Sequence, residues 1–446
     1  MIKIFVLDTN ILLANAENIY GFDDNYVCIT GTTLQELDSK KDHGGEVGYN
    51  ARECCRLLDE LRGVGDLLTG VNLPNQGKLF IEPDGVKQEY LPNGFHLSSP
   101  DNRIISTCIH LMKKAKESVV LVTNDISMRI NATACGVAVE AYKNDRIEES
   151  GYTGYTDIDT GSDVINHVYK EEVVPFTMEG LLENEFVTLH AESQSALTMY
   201  RNGFLRRVNE QVLFGGVKPK NLMQRYMMHA LKLPAEEVPL TILKGAAGTA
   251  KTFLSLAAAL DDTYVDQRRW KNNRYQKILI SRPNAEAADP GFGYLPGDLE
   301  EKMTPLLAPY FDNLFELFRL NSPEEDTDQI NMQINDLFAN GIIEVCPLSY
   351  IRGRTISNAV IICDEVQNAK KSLIRDVITR AGHNTKVIIC GDVEQIDNPL
   401  LDKQNNGLTY AIESMKGSNM AAILELPKKS SVRSPLASEA IKRMQI

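Results

Sequence analysis

The chain has 446 residues, 43% of them hydrophobic and 24% charged, with a formal net charge of −13. That length allows two or three domains, and the balance is that of a globular protein, not of a disordered or fibrous one. The acidic excess excludes a passive nucleic-acid coat, whose affinity comes from neutralising phosphates. It leaves an enzyme with a local basic groove, or one that holds nucleic acid through metal ions.

Apolar runs such as residues 119–122 and 359–363 have strand length and are too short to span a bilayer. The opening Met1-Ile-Lys-Ile-Phe-Val-Leu-Asp8 reaches an acid at once, so no signal peptide is expected. Eight cysteines occur without any C-x-x-C pair, and Cys346, Cys363 and Cys390 lie inside apolar runs. Reduced, buried thiols in a cytoplasmic protein are the expectation.

In chain order, residues 2–7 predict a strand, 26–29 a second apolar stretch, and 32–38 a helix. Val47, Ala51, Cys54, Leu57, Leu58 and Leu61 fall on one stripe and predict a helix over 47–61. Pro100-Asp101 opens a helix over 102–112, residues 119–123 form a strand, Asp125 opens another helix, and 137–141 form a last strand. Strands alternating with helices imply a parallel sheet over residues 1–142. Residues 143–175 are polar, acidic and Gly-rich, and read as a linker. Residues 176–215 read as a small β-rich or mixed connecting module. From residue 216 to 446 the α/β alternation returns, with strands expected at 240–244, 277–281, 342–346, 359–363, 386–390 and 421–426.

The strongest local pattern is Leu240-Thr-Ile-Leu-Lys-Gly-Ala-Ala-Gly-Thr-Ala-Lys-Thr252, followed by the helical run from Phe253. A buried strand enters a loop of Gly245, Ala246, Ala247, Gly248, Thr249 and Ala250, and a helix starts at Lys251. This is the context of a P-loop, in which backbone N–H groups and the helix N-terminus cradle phosphates. Lys251 would reach the β- and γ-phosphates, and the Thr252 hydroxyl would bind Mg²⁺. Ala250 departs from the pattern, which has Gly there, and its methyl disfavours a positive φ. Downstream, Ala359-Val-Ile-Ile-Cys-Asp-Glu-Val-Gln-Asn368 ends a strand in two acids. Asp364 is suited to hold Mg²⁺ through its waters and Glu365 to polarise an attacking water. Residues 386–390 place Asp392 and Gln395 at the same sheet edge, with Gln395 suited to sense a γ-phosphate.

In the first half, Asp8 follows a strand, Glu36 lies on a helix, Asp101 opens a helix and Asp125 follows a strand. Acids at such positions converge on one edge of a parallel sheet. Several carboxylates there need a cation, and Mg²⁺ or Mn²⁺ suits hard oxygen ligands. Such a site activates water against a phosphodiester. Asp101 and Asp125 also suit helix N-caps. The basic run Gln267-Arg-Arg-Trp-Lys-Asn-Asn-Arg-Tyr-Gln-Lys277 offers either a stacking surface for bases on Trp270 and Tyr275 or a solvated connection.

Residues 215–446 resemble the PhoH family of ATPases, relatives of superfamily 1 helicases. The resemblance is carried by Lys220-Asn-Leu-Met-Gln224, Ile280-Ser-Arg-Pro283, Gly291-Phe-Gly-Tyr-Leu-Pro-Gly-Asp-Leu-Glu-Glu-Lys-Met303 and Ser349-Tyr-Ile-Arg-Gly-Arg-Thr355. It continues in Asp364-Glu-Val-Gln-Asn368, Gly391-Asp-Val-Glu-Gln-Ile-Asp397 and Val432-Arg-Ser-Pro-Leu436. It implies that Gln224 reads the adenine edge. It also implies a ring-like homo-oligomer, expected as a hexamer, in which Arg352, Arg354 or Arg433 completes a neighbour's site. Residues 1–142 resemble a PIN-domain ribonuclease, with Asp8, Glu36, Asp101 and Asp125 as the site and Thr9, Asn10 and Asn124 around it. Gly48-Tyr-Asn-Ala-Arg52 looks typical of a PIN domain fused ahead of PhoH. The expected fold class is α/β: a PIN-like parallel-sheet domain, then a RecA-like P-loop NTPase domain.

The resemblance implies ATP and Mg²⁺ or Mn²⁺ as cofactors and single-stranded RNA as partner. ATP hydrolysis would translocate or unwind RNA and feed it to a metal-dependent endoribonuclease. An RNA-regulatory ATPase with a catalytically silent PIN domain is the alternative. A small-molecule kinase leaves the N-terminal acids unexplained.

Overall fold

Residues Ile4, Phe5, Val6 and Leu7 give both faces of an extended chain something to bury, and they form strand β1 (Lys3–Leu7). The computed structural model divides into two units, Met1–Arg146, which contains β1, and Ile147–Ile446. It describes residues 2–43, 45–142, 147, 149–192, 194–263, 274–283, 299–351, 353–398, 401–430 and 439.

In the first unit β1 is joined by β2 (Tyr26–Thr30), β3 (Val71–Asn72), β4 (Lys78–Glu82), β5 (Ser118–Val122) and β6 (Ala138–Glu140). The sheet order is β3-β4-β2-β1-β5-β6, and only the β3–β4 pairing is antiparallel. Side chains alternate between faces along each strand. Phe5, Leu7, Val27 and Ile29 share a core with residues of helices Thr9–Ala14, Gly31–Lys40 and Gly45–Val64. Ile4, Val6, Cys28, Val119 and Leu121 share another with residues of helices Pro100–Lys114 and Ile126–Ala134. The parallel strands β1, β2, β4 and β5 therefore end at one edge, where Asp8 follows β1 and Asp125 lies just beyond β5. The pair β3–β4 was not foreseen, because three apolar residues in a row at 79–81 are too few to separate a strand from a loop.

In the second unit the expected linker contains β7 (Tyr155–Asp159), the helix Ser162–Glu171 and β8 (Val173–Pro175). With β9 (Phe186–Ala191), β10 (Gln194–Arg201) and β11 (Phe204–Arg207) these strands form one sheet, ordered β7-β9-β10-β11-β8. The expected boundary at 175/176 thus cuts through a single module. Strand β7 lies at the sheet edge with Asp157 and Asp159 exposed, so its acidity hides Tyr155 and Ile158, which pack inward. Even the Gly-rich stretch before it is bonded to the fold. The backbone N–H of Glu425 donates to the carbonyl of Thr153 at 2.7 Å, and Glu413 accepts from both the N–H and the hydroxyl of Ser150.

The larger sheet consists of β12 (Leu240–Gly245), β13 (Lys277–Arg282), β14 (Ile343–Pro347), β15 (Ala359–Cys363), β16 (Lys386–Gly391) and β17 (Ala421–Leu426). Its order is β14-β13-β15-β16-β12-β17, and every pairing is parallel. Helices Leu222–Lys232, Lys251–Thr263, Leu299–Asn321 and Thr327–Ala339 supply one core, and Lys371–Thr379 and Gly407–Met415 the other. Strands buried on both faces read as near-continuous apolar runs, which makes β15 and β16 the most visible in the sequence, whereas the edge strand β14 carries Glu344 and is only partly buried.

Candidate active sites

Strand β12 is almost wholly buried and ends at Gly245, where a Cβ would lie 2.7 Å from that of Leu426 on the neighbouring strand. The loop then turns through Gly248 (φ +82) and Ala250 (φ +66) into the helix Lys251–Thr263. The left-handed conformation anticipated at Ala250 is therefore present, at a cost of roughly 1 kcal/mol relative to glycine. Thr249 braces the loop by donating its hydroxyl to the carbonyl of Ala246 at 2.8 Å. The Lys251 ammonium donates to the carbonyls of Gly245 (2.5 Å) and Ala246 (3.2 Å), which keeps it on the loop it serves.

The Thr252 hydroxyl donates to Oδ2 of Asp364 at 2.9 Å, and the buried Tyr310 hydroxyl reaches the same oxygen at 3.4 Å. Burial and the Asp364 carboxylate hold the Tyr310 phenol well above its usual range, so it acts as a neutral donor. Glu365 follows with left-handed backbone (φ 56, ψ 35), and its Oε1 lies 3.8 Å from Nη2 of Arg282. Gln367 donates to Glu365 Oε2 at 2.6 Å and to the carbonyl of Gln395 at 2.8 Å. A cavity of about 280 Å³ joins these parts: Ala247, Gly248, Ala250, Lys251, Thr252, Phe253, Asn313, Asp364, Glu365, Gly391, Asp392 and Gln395 line it. The loop and both strand ends named from sequence thus meet in one space. Hydroxyl and carboxylate oxygens side by side are hard donors that fit Mg²⁺. Asn313, Tyr310, Arg282 and Gln367 were not foreseen as site residues, although Arg282 and Gln367 lay within quoted motifs.

Other expected residues fall elsewhere. Gln224 is buried in the first turn of its helix, its backbone capped by Asn221 and its side-chain carbonyl accepting from the N–H of Lys220 at 2.8 Å. It does not line the cavity. Arg354 is exposed after the turn Leu348–Ile351 and also does not line it. Arg352, Arg433 and Trp270 lie outside the described residues, as does most of the 291–303 motif. Tyr275 is corrected: it is a core residue, 2% exposed, whose hydroxyl accepts from the N–H of Ala235, so it offers no face to a base.

In the first unit Asp8 is 5% exposed and accepts the Thr123 hydroxyl at 2.6 Å. Burial pushes its carboxyl up to about 6, opposed by hydrogen bonds from Thr123 and Thr9, with Asp101 and Glu36 adding to the rise. Glu36 accepts the Thr9 hydroxyl at 2.5 Å. Asp101 is raised by burial, then by Asp125 and Glu36. Asp125 is exposed and caps its helix by accepting from the N–H of Met128 at 2.8 Å. Asp101 is not a cap: Ser99 holds that position, and Asp101 lies in the first turn. Asn10 donates to Thr123 Oγ1, while its own Oδ1 is buried without a partner. Asn124 accepts from the N–H of Tyr142 instead of facing the acids' hydroxyl network. Asn50 of the Gly48–Arg52 motif donates to the carbonyls of Leu13 and Ala14, fixing the end of the helix that begins at Thr9.

The four carboxylates therefore share one electrostatic neighbourhood. Carboxylates that raise Asp8 and Asp101, beside an unpaired amide oxygen, match a hard divalent cation in donor type. In spacing they fall short: among the described residues no three His, Cys, Asp or Glu side chains stand close enough to hold a metal ion.

Fold and sites define a P-loop NTPase-like domain preceded by an α/β domain with an acidic sheet edge. Residues 216–445 match the family described as PhoH-like protein, and residues 5–143 the one described as PIN domain. This chain belongs to the PhoH-like family, as a PIN–PhoH fusion. It is 36% identical to Protein PhoH2 of Bacillus subtilis (strain 168), over 96% of this chain and 97% of that one. It is 30% identical to Protein PhoH2 of Thermobispora bispora, over 99% and 97%. The PhoH-like protein of Bacillus subtilis is 33% identical over 56% of this chain and 70% of its own. The fusion is thus shared with the two PhoH2 proteins along nearly their whole length. Among the described residues no helix is long and apolar enough to cross a membrane.

Proposed function

We propose that this protein hydrolyses ATP in its second unit to move or unwind single-stranded RNA, which the first unit cleaves. The observation that carries the ATPase reading is the convergence of Lys251, Thr252, Asp364, Glu365, Asp392 and Gln395 on one cavity. Lys251 supplies counter-charge to the β- and γ-phosphates, and Glu365 polarises the attacking water. Thr252 and Asp364 would hold Mg²⁺, which neutralises phosphate charge when bound. Asp392 and Gln395 face the γ-phosphate; Gln224, buried and absent from the cavity lining, has no part in this reading. A hexameric ring, with Arg354 or Arg433 reaching a neighbour's nucleotide, completes this reading. Eight free cysteines suit a reducing cytoplasm.

In the first unit Asp8, Glu36, Asp101 and Asp125 would hold Mg²⁺ or Mn²⁺, which supplies an activated water when bound. The wide spacing of these acids favours a second reading, in which the PIN domain binds RNA without cutting it.

The test is one matrix on purified protein: labelled single-stranded RNA, ATP, Mg²⁺ and Mn²⁺, with wild type, Lys251→Ala and Asp8→Asn. ATPase turnover that rises with RNA and vanishes in Lys251→Ala supports the motor. Cleavage lost in Asp8→Asn alone supports the nuclease. RNA binding with no cleavage under either metal moves the conclusion to the second reading.

A further inference from the structure

Gln367 lies in the short turn Val366–Asn368 and is fully buried, at 0% exposure. A primary amide has two N–H donors and a carbonyl acceptor, and a buried one must place them. Nε2 donates to Glu365 Oε2 at 2.6 Å and to the carbonyl of Gln395 at 2.8 Å, while Oε1 accepts the N–H of Asp392 at 3.0 Å. One side chain is thereby bonded to the segments that follow β15 and β16. The room for it comes from Gly391, where a Cβ would lie 2.6 Å from Gln367 Oε1.

Glu365 needs such a guide. Its left-handed backbone places it outside any helix or strand, and Arg282 stands 3.8 Å from its other oxygen. An Arg contact alone would draw the carboxylate toward the cation and weaken it as a base. A neutral amide donor fixes its rotation and leaves its charge in place.

We propose that Gln367 is a positioning residue for ATP hydrolysis: its amide aims Glu365 and holds it in fixed relation to the Asp392–Gln395 segment. The group that polarises the water and the group that faces the γ-phosphate then move as one body. The inference rests on the ATPase reading above.

The competing role is purely structural, with Gln367 only satisfying the N–H of Asp392. Chemistry separates the two halves of the amide. Gln367→Glu keeps the length and the acceptor for Asp392 but sets an oxygen against Glu365. Gln367→Met keeps the volume and removes both donor and acceptor. The experiment is steady-state ATPase kinetics on the full chain with MgATP, alongside binding of a fluorescent ATP analogue and thermal melts. Both variants should lose kcat by about 10- to 100-fold, the scale for residues that orient a catalytic group. KM and analogue affinity should stay near wild type in both variants, while the melting temperature should fall, most in Gln367→Glu, whose new oxygen is buried against Glu365 and the Gln395 carbonyl. Wild-type kcat in Gln367→Glu overturns the inference while the ATPase reading stands. So does a kcat loss that appears only with a matching loss of affinity. A wild-type protein that does not hydrolyse ATP overturns the reading and this inference with it.

Discussion

The Thr252 hydroxyl donates to Oδ2 of Asp364 at 2.9 Å, across 112 positions of sequence. It joins the first turn of the P-loop helix to the end of β15 and puts two hard oxygens side by side. Thr252→Val keeps the shape and deletes the donor. Nucleotide binding without divalent ion should change less than about twofold, while the gain from Mg²⁺ and the ATPase rate should fall about 10- to 100-fold. Titration of a fluorescent ATP analogue with and without Mg²⁺ reads this directly. An unchanged Mg²⁺ gain would remove Thr252 from the metal site.

Ala250 holds φ +66 where a glycine would rest without strain. Ala250→Gly should recover up to roughly 1 kcal/mol, seen as tighter nucleotide binding or a higher melting temperature. A fall in affinity of tenfold or more would show that the methyl contributes contacts that outweigh its strain.

His229 lies on the helix that carries Gln224, its Nδ1 sealed from water without a partner and its ring edge-on to Phe186. Burial, then the nearby Lys386 ammonium, lowers it from 6.5 to about 4. Lys386 itself donates to the carbonyls of Ala230, Leu233 and Val238 and so closes the end of the same helix. A folded-state pKa below the unfolded one means that the unfolded chain binds the proton first. The stability from neutral His229 is complete above pH 6.5 and is lost as pH falls toward 4, by at most about 3 kcal/mol. Amide exchange of the helix Leu222–Lys232 in the full chain should accelerate over that window. In His229→Gln the acceleration should be smaller, and an identical pH dependence would assign it to other groups.

How far the sequence reaches follows from where each signal resides. Strands such as β12, β15 and β16 are buried on both faces, so their apolar runs announce them, and the residues just beyond them are located by default. Asp8, Asp364, Glu365 and Asp392 were legible for that reason. Gln367 and Tyr310 were not, because their roles consist of bonds to distant partners that no periodicity encodes. Strand β7 failed for the opposite reason: its exposed acids carry the visible pattern, while Tyr155 and Ile158 are only partly buried and pack against two different cores. Tyr275 looked like a stacking residue only because its neighbours in sequence are basic, whereas its surroundings in space are core.

Asp8 gives the sharpest test of the first unit. Its carboxyl is almost wholly buried, and burial carries it from 3.8 to about 6, with Asp101 and Glu36 pushing the same way. A folded-state pKa above the unfolded one means that folding takes up a proton. The contribution is most favourable below pH 3.8 and is lost as pH rises through 6, so at pH 7.5 the ionised group costs roughly 3 kcal/mol without a cation. Asp8→Asn keeps the shape and can still accept the Thr123 hydroxyl through its amide oxygen. It should therefore slow amide exchange of β1 and β5 in metal-free buffer at pH 7.5, and the difference from wild type should vanish near pH 4. Added Mn²⁺ should reverse the order, because a divalent ion offsets the crowded charges of the wild type and finds one fewer in the variant. RNA-stimulated ATPase activity should persist in the variant, since the P-loop cavity lies wholly within the second unit. If Mn²⁺ protects neither protein, the acids serve no cation and the non-cutting reading of the PIN domain holds. If Mn²⁺ protects both equally, Asp8 is not a ligand, and Glu36, Asp101 and Asp125 become the residues to replace next.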